Sequence, residues 1–179
     1  CTSELIMDQN KRRIFDKEKN EYTFRTLKSL IKSINKASLI FKNIKFDLLV
    51  TDTNSPKEDI NKIQEMLNKS NIENKFKSID LDSFKDKIKS GYSKAKFSNM
   101  ANFYTSLKIA NEESADIIYF VEDDYLHSED AITEMIFAYE KFSTIFSKDL
   151  VLLPSDYPYL YTKDEATKIY LGEKYHWRL

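Results

Sequence analysis

Three consecutive carboxylates, Glu122, Asp123 and Asp124, are the side chains of this 179-residue sequence best suited to chemistry. They directly follow residues 116–121, an apolar run after its first residue, whose Ile, Tyr, Phe and Val favour a buried strand. Adjacent acids repel one another and are costly to bury unpaired, so we expect them where that strand ends, facing solvent or a cation. Hard oxygen ligands at such a place suit Mg²⁺ or Mn²⁺, with a phosphate as the other partner of the metal.

The hydrophobic pattern on either side of these acids predicts alternating helices and strands. Helices are expected over residues 22–37, 98–111 and 128–142 and after capping boxes at 55–58 and 162–165, and strands over 45–52, 75–81, 116–121 and 149–154. This alternation predicts an α/β fold with a mostly parallel sheet and helices on both of its faces. We expect a single domain that covers residues 1–179.

Composition excludes several classes of protein. The net charge of −1 means that the chain has no overall positive charge to attract nucleic acid, so we expect no nucleic-acid partner. No apolar run approaches the roughly 20 residues that span a bilayer, so we expect no transmembrane segment. The single Cys excludes an internal disulfide and fits a reducing compartment. We therefore expect a cytoplasmic protein that works in solution or at the cytoplasmic face of the membrane.

A second candidate residue, Asp52, ends the strand predicted over 45–52. The carboxyl ends of parallel strands lie at one edge of the sheet, where ligands bind in open α/β folds, so Asp52 is expected to converge with the three acids. Two other interpretations stay open. Asp52 is also a turn-forming residue within 51–55, and the three acids also fit a solvated turn that caps the next helix.

The segment 98–142 resembles the heart of a GT-A nucleotide-sugar glycosyltransferase. It carries Asn99 and Asn102 on one predicted helix, followed by the residues DIIYFVEDDYLHSEDAI. The segment is similar to the family 2 enzymes, in which a DxD-type motif at the end of a strand binds the metal. LLVTDTNSPKED, which contains Asp52, resembles the second strand of that family. The resemblance covers roughly residues 20–160 and implies the GT-A fold, a Rossmann-like arrangement of sheet and helices.

The resemblance also implies an activity, in which a metal-dependent enzyme binds a nucleoside-diphosphate sugar, such as a UDP-sugar, and transfers the sugar with inversion. The acceptor is an unknown glycan, lipid or protein. Asp124 would coordinate Mn²⁺ or Mg²⁺, while Glu122 and Asp123 would hold the waters of the metal, the ribose or the sugar. Asp52 would contact the base.

Other candidate residues lie outside these two motifs. The resemblance adds Asn102 to the residues that bind the donor, and Lys96 is a candidate to offset phosphate charge, unless it belongs to a solvated basic loop. Asp156 follows the fourth predicted strand and is a candidate catalytic residue facing the acceptor, unless it only shapes a turn flanked by prolines. His176 is a candidate late metal ligand, and Arg178 suits a diphosphate because its fork binds bidentately. The other interpretation of these last two is a segment packed on the core.

Two departures from the family pattern concern the ends of the sequence. The first strand of the family should precede the helix over 22–37, and its acceptor-binding part should follow residue 179, so we expect a fragment that lacks both. Two alternative functions remain open. One is a Mg²⁺-dependent phosphoryl-transfer enzyme on a doubly wound sheet, and the other is a catalytically inactive domain that binds a nucleotide sugar.

Overall fold

A computed structural model of the chain describes residues 17–88, 91–113, 116–155, 162 and 168–178. These residues form an α/β protein with four α-helices, a parallel two-stranded sheet and a two-stranded antiparallel hairpin. The chain divides into two compact units, Cys1–Ile31 with Lys45–Leu126 and Lys32–Ile44 with His127–Leu179. No helix in the described ranges is both long and apolar enough to cross a membrane. The expectation of one domain stays a prediction.

The first unit contains the parallel sheet and the helices next to it in the sequence. Its elements are the first part of α1 (Lys19–Ile40), β1 (Asp47–Asp52), α2 (Lys57–Asn68), β2 (Glu73–Ser78), a 3₁₀ turn (Leu81–Phe84) and α3 (Lys94–Glu112). β1 and β2 pair in parallel, from Asp47 opposite Glu73 to Asp52 opposite Ser78, with α2 as the connection. These helices and two strands were predicted, although β2 lies at 73–78 rather than 75–81.

The core of the first unit explains why these elements form. Apolar residues at helical spacing on α1 and α2 bury one face of each helix, and residues of the two strands pack against these faces. The buried cluster comprises Phe24, Leu27, Ile63 and Leu67, and the partly buried residues packed against it include Leu48, Val50 and Phe76. α3 is joined to β1 and its following turn by two hydroxyl pairs. Oγ atoms lie 3.2 Å apart between Thr51 and Ser106 and 2.6 Å apart between Thr53 and Ser98.

The second unit consists of the end of α1, helix α4 (Ala131–Phe146) and an antiparallel hairpin of β3 (Ile169–Leu171) and β4 (His176–Arg178). Phe142 of α4 is fully buried, and the rings of Tyr170 and Trp177 meet it edge-on at centroid distances of 5.9 and 6.2 Å. The hydroxyl of Ser33 donates to Glu129 O and accepts from Ile132 N, which fixes the start of α4. The hairpin was not predicted from the sequence.

The strands predicted over 116–121 and 149–154 were wrong. Neither segment belongs to a hydrogen-bonded strand pair within the described part of the chain. Ile117 and Phe120 leave 51% and 47% of their surface exposed, and Val151 leaves 91% exposed. β-Branched and aromatic residues favour a strand only where their side chains pack against other residues and their backbone pairs with a neighbouring strand. Neither segment has such a neighbouring strand among the described residues. The capping box at 162–165 lies, apart from Thr162, outside the described residues.

Candidate functional site

Glu122, Asp123 and Asp124, here called the acid turn, lie in the first unit after the segment 116–121. The chain turns at Asp123 and Asp124, and the three side chains differ in exposure. Glu122 and Asp124 are exposed, whereas Asp123 between them is half-buried. The acid turn therefore presents its two outer carboxylates to solvent.

Asp123 is held by the first turns of α1. Its Oδ2 atom accepts a hydrogen bond from Thr23 Oγ1 at 3.3 Å and lies 3.7 Å from Lys19 Nζ. Lys19 and Thr23 are four residues apart, so both point from the same face of the helix. The contact joins parts of the chain 100 residues apart and fastens the acid turn to α1. By contrast, neither Glu122 nor Asp124 forms a side-chain hydrogen bond or ion pair with another described residue.

The surroundings of the Glu122 carboxyl group change its pKa. Surrounding protein partly removes it from water, and this desolvation, followed by repulsion from Asp124 and Asp123, raises the pKa of Glu122 above its ordinary value of 4.5. Desolvation and repulsion both disfavour the charged form, and a bound cation would relieve the repulsion. The raised pKa of Glu122 therefore reflects mainly its partial removal from water, with a smaller contribution from the two neighbouring carboxylates.

The raised pKa of Glu122 predicts a pH-dependent effect of the substitution Glu122→Gln. The folded chain retains the Glu122 proton above pH 4.5, where the unfolded chain has begun to lose it, so this group lowers the free energy of unfolding as pH rises through its folded pKa. Glutamine carries no charge at any pH. We therefore expect Glu122→Gln to gain stability relative to the parent protein between pH 4 and pH 7, as measured by urea unfolding.

The matched control for this prediction is Glu140→Gln, which changes an exposed glutamate of α4 in the second unit. Its stability relative to the parent should change less over the same pH range. If Glu122→Gln gains no more from the rise in pH than Glu140→Gln does, the pKa of Glu122 is not raised in the folded protein.

The acid turn does not by itself form a metal cage within the described part of the chain. Across the described residues, no three His, Cys, Asp or Glu side chains converge to hold a metal ion. Mg²⁺ is usually held by one or two carboxylates, with substrate phosphates and waters as its remaining ligands. Glu122 and Asp124 supply that number of exposed oxygen donors. Binding of Mn²⁺ or Mg²⁺ by these two residues stays a prediction.

Asp52 ends β1 as predicted, but its side chain is fully buried. Its carboxylate accepts hydrogen bonds from Ser55 N at 3.2 Å and from Ser55 Oγ at 2.5 Å. This contact corrects the predicted capping box, because the Ser55 hydroxyl binds Asp52 and Pro56 occupies the N-cap of α2 without a side-chain cap. The contact with Ser55 gives Asp52 a structural part in the turn after β1, while its contact with a base stays a prediction.

Lys96 and Asn102 both lie on α3 in the first unit. Lys96 is exposed near the start of that helix, with its ammonium group 4.2 Å from the ring centroid of Tyr92. Ser93 caps the helix by accepting a hydrogen bond from Lys96 N. Lys96 therefore belongs to the first turn of a helix rather than to the loop that was one of its two interpretations. Asn102 is half-buried in the middle of the helix.

His176 and Arg178 lie on β4 in the second unit, opposite Leu171 and Ile169 of β3. His176 is exposed and Arg178 is half-buried. His176 belongs to no group of potential metal ligands in the described ranges, and its part in binding a metal stays a prediction. Asp156, the candidate catalytic residue, lies outside the described residues.

The hairpin that carries these two residues is fixed to α4 by a buried carboxylate. Glu134, only 3% exposed, accepts hydrogen bonds from Trp177 Nε1 at 3.1 Å, Lys174 N at 2.9 Å and Glu173 N at 3.2 Å. Three donors satisfy a charge that would otherwise be costly to bury. The position of His176 and Arg178 therefore depends on Glu134.

Lys19, Thr23 and Glu134 contribute to these arrangements and were not identified from the sequence. Lys19 and Thr23 stand in an ordinary amphipathic helix about 100 residues before the acid they contact, and no local pattern links them to it. Glu134 offers a weak signal, since it interrupts the apolar side of a helix rich in Ile, Met and Phe.

Comparisons of the chain with protein-family models, curated proteins and solved structures found no match.

Proposed function

We propose that this protein is a metal-dependent glycosyltransferase of the GT-A type, which binds a nucleoside-diphosphate sugar at the acid turn. The observation that carries the proposal is the pair of exposed carboxylates, Glu122 and Asp124, on either side of an anchored Asp123. Such a pair lacks the number of ligands for a metal site of its own and suits one completed by a diphosphate. The resemblance of residues 98–142 to the family 2 enzymes supplies the reaction class.

The residues of the acid turn have two roles, since one anchors the turn to α1 and the other two bind the metal. Asp123 holds the turn against α1 through Thr23 and Lys19, so the outer carboxylates sit on a supported segment. Glu122 and Asp124 are the candidates to hold Mn²⁺ or Mg²⁺ together with the phosphates of the donor. A divalent cation bound there would neutralise charge on the departing nucleoside diphosphate.

The remaining roles follow the family resemblance. In an inverting reaction a carboxylate takes the proton of the acceptor hydroxyl as the new glycosidic bond forms and the diphosphate departs. Asp156 is the candidate for that base. Lys96 and Arg178 are cations suited to phosphate, and Arg178 can bind two oxygens at once.

A turnover assay tests the proposed activity. The full chain is incubated with UDP-, GDP- and TDP-sugars and Mn²⁺, and release of sugar and of nucleoside diphosphate is followed by chromatography. We expect release from one donor, to water or to an added acceptor, that stops in EDTA. Phosphate release from simple phosphate esters with no sugar-nucleotide cleavage would instead indicate a phosphoryl-transfer enzyme. Donor binding without release would indicate an inactive binding domain.

A further inference from the structure

A separate pocket opens in the first unit, beside the end of β2. Its volume is about 240 Å³, and it is an open cleft lined by residues of β2, the 3₁₀ turn and α3 and by residues beside them. Ligand pockets for drug-sized molecules are usually about 300–1,000 Å³, so this one suits a smaller ligand. It lies where a parallel strand ends, which is a common place for ligands in α/β proteins. None of its lining residues belongs to the acid turn.

The charge of the pocket favours an anion. Three lysines line it, Lys77, Lys87 and Lys108, and all three are exposed to solvent. Two acids also line it, and both have partners within the protein. Asp80 Oδ1 accepts a hydrogen bond from Asp82 N at 3.0 Å, and Glu112 Oε1 lies 3.6 Å from Lys108 Nζ. Lys108 is already paired with Glu112, so Lys77 and Lys87 against Asp80 leave the lining with one net positive charge, and lysine binds phosphate as a point charge.

Apolar and aromatic side chains also line the pocket. Phe84 is buried, and Tyr104 meets its ring edge-on with centroids 5.7 Å apart. Lys87 Nζ lies 5.3 Å from the centre of the Phe84 ring, so a cation and an aromatic face stand side by side. Ile79 and Ile109 complete the apolar lining. A ligand that suits this mixed lining combines a phosphate with a small apolar group.

We propose that this pocket binds a small phosphate monoester with an apolar or aromatic group, and that it does so without a metal. The phosphate would lie among the three lysines, and the apolar group would contact Tyr104 and Phe84. This site is distinct from the acid turn and does not depend on the activity proposed above.

Nuclear magnetic resonance of the full chain, labelled with ¹⁵N and kept in EDTA, tests this proposal with phenyl phosphate and inorganic phosphate as probes. We expect saturable shifts of amide signals from residues 77–87 and 104–112, with phenyl phosphate binding more tightly than inorganic phosphate. Lys87→Gln and Lys108→Gln should each weaken binding of phenyl phosphate by about three- to fivefold, the scale of one exposed ion pair.

Two control variants separate this site from general attraction to lysine and from the acid turn. The first is Lys57→Gln, which changes an exposed lysine at the start of α2, and the second is Asp124→Ala. Both variants should bind phenyl phosphate with the affinity of the parent protein. The proposal is overturned if no signals near the pocket shift, if inorganic phosphate binds as tightly as phenyl phosphate, or if Lys57→Gln weakens binding as much as Lys87→Gln does.

Discussion

Replacing Asp124 with alanine is expected to abolish Mn²⁺-dependent binding of the donor sugar nucleotide while leaving the fold intact. The Asp124 side chain is exposed and forms no hydrogen bond or ion pair with the described residues, so its removal should change the free energy of unfolding by less than about 0.5 kcal/mol. Loss of a direct metal ligand should weaken Mn²⁺ affinity in the presence of donor by more than about a hundredfold, beyond the range for supporting residues. Calorimetry gives the donor affinity, and electron paramagnetic resonance counts the free Mn²⁺.

The matched control is Asp86→Ala, which removes an exposed aspartate from the turn after the 3₁₀ segment. This variant should bind donor and Mn²⁺ like the parent protein. Unchanged Mn²⁺-dependent binding in Asp124→Ala would remove Asp124 from the site. A loss of stability in Asp124→Ala would show that the side chain supports the turn instead.

Replacing Gly172 with alanine is expected to release the hairpin from α4. A Cβ atom at this position would overlap Glu134 Oε1 and lie 2.8 Å from Trp177 Nε1. The carboxylate would have to move, and its three hydrogen bonds to the hairpin would break or lengthen. Overpacking together with an unsatisfied buried group predicts a loss of roughly 2–4 kcal/mol in the free energy of unfolding.

Trp177 is the one tryptophan in the sequence, so its fluorescence reports directly on the hairpin. In Gly172→Ala we expect a red-shifted emission of the folded protein, because the indole leaves Phe142 and Glu134 for solvent. The double variant Gly172→Ala with Glu134→Ala separates the clash from other causes. Removing the carboxylate relieves the worst overlap and leaves the close approach to Trp177, so Gly172→Ala should cost less stability in the Glu134→Ala background than in the parent protein. Additive losses would contradict the clash.

The helices were accessible from the sequence because their signal is local. Apolar residues at helical spacing predicted α1, α2, α3 and α4, and the structure extends α1 and α3 by a few residues at their first turns. β1 was accessible for a similar reason, since a short apolar run ends there in an acid. Local pattern is sufficient where one face of an element must be buried.

The failures occurred where the outcome depends on a distant partner. Residues 116–121 have the composition of a strand but lack a neighbouring strand among the described residues, and composition does not reveal that. The hairpin was missed because its strands are only three residues long, and it depends on Glu134 some 40 residues earlier.

The candidate site shows the same division between local and distant information. The sequence identified the acids, because three adjacent carboxylates after an apolar run are visible in any reading of the chain. It did not reveal that Asp123 is the anchored one, since that depends on Thr23 at a separation of 100 residues. From the sequence, Asp52 could have been a ligand-binding residue or a turn-forming residue. The structure shows that the Asp52 side chain is fully buried and accepts a hydrogen bond from Ser55, which the sequence did not reveal.

Isothermal titration calorimetry of UDP-, GDP- and TDP-sugars into the full chain, with Mn²⁺ and again with EDTA, measures whether the acid turn binds a nucleoside-diphosphate sugar together with a divalent metal. We predict that one donor binds at a ratio of one per chain in Mn²⁺ and that this binding disappears in EDTA. The absence of binding by every donor in Mn²⁺, or equal affinity in EDTA, would contradict the account.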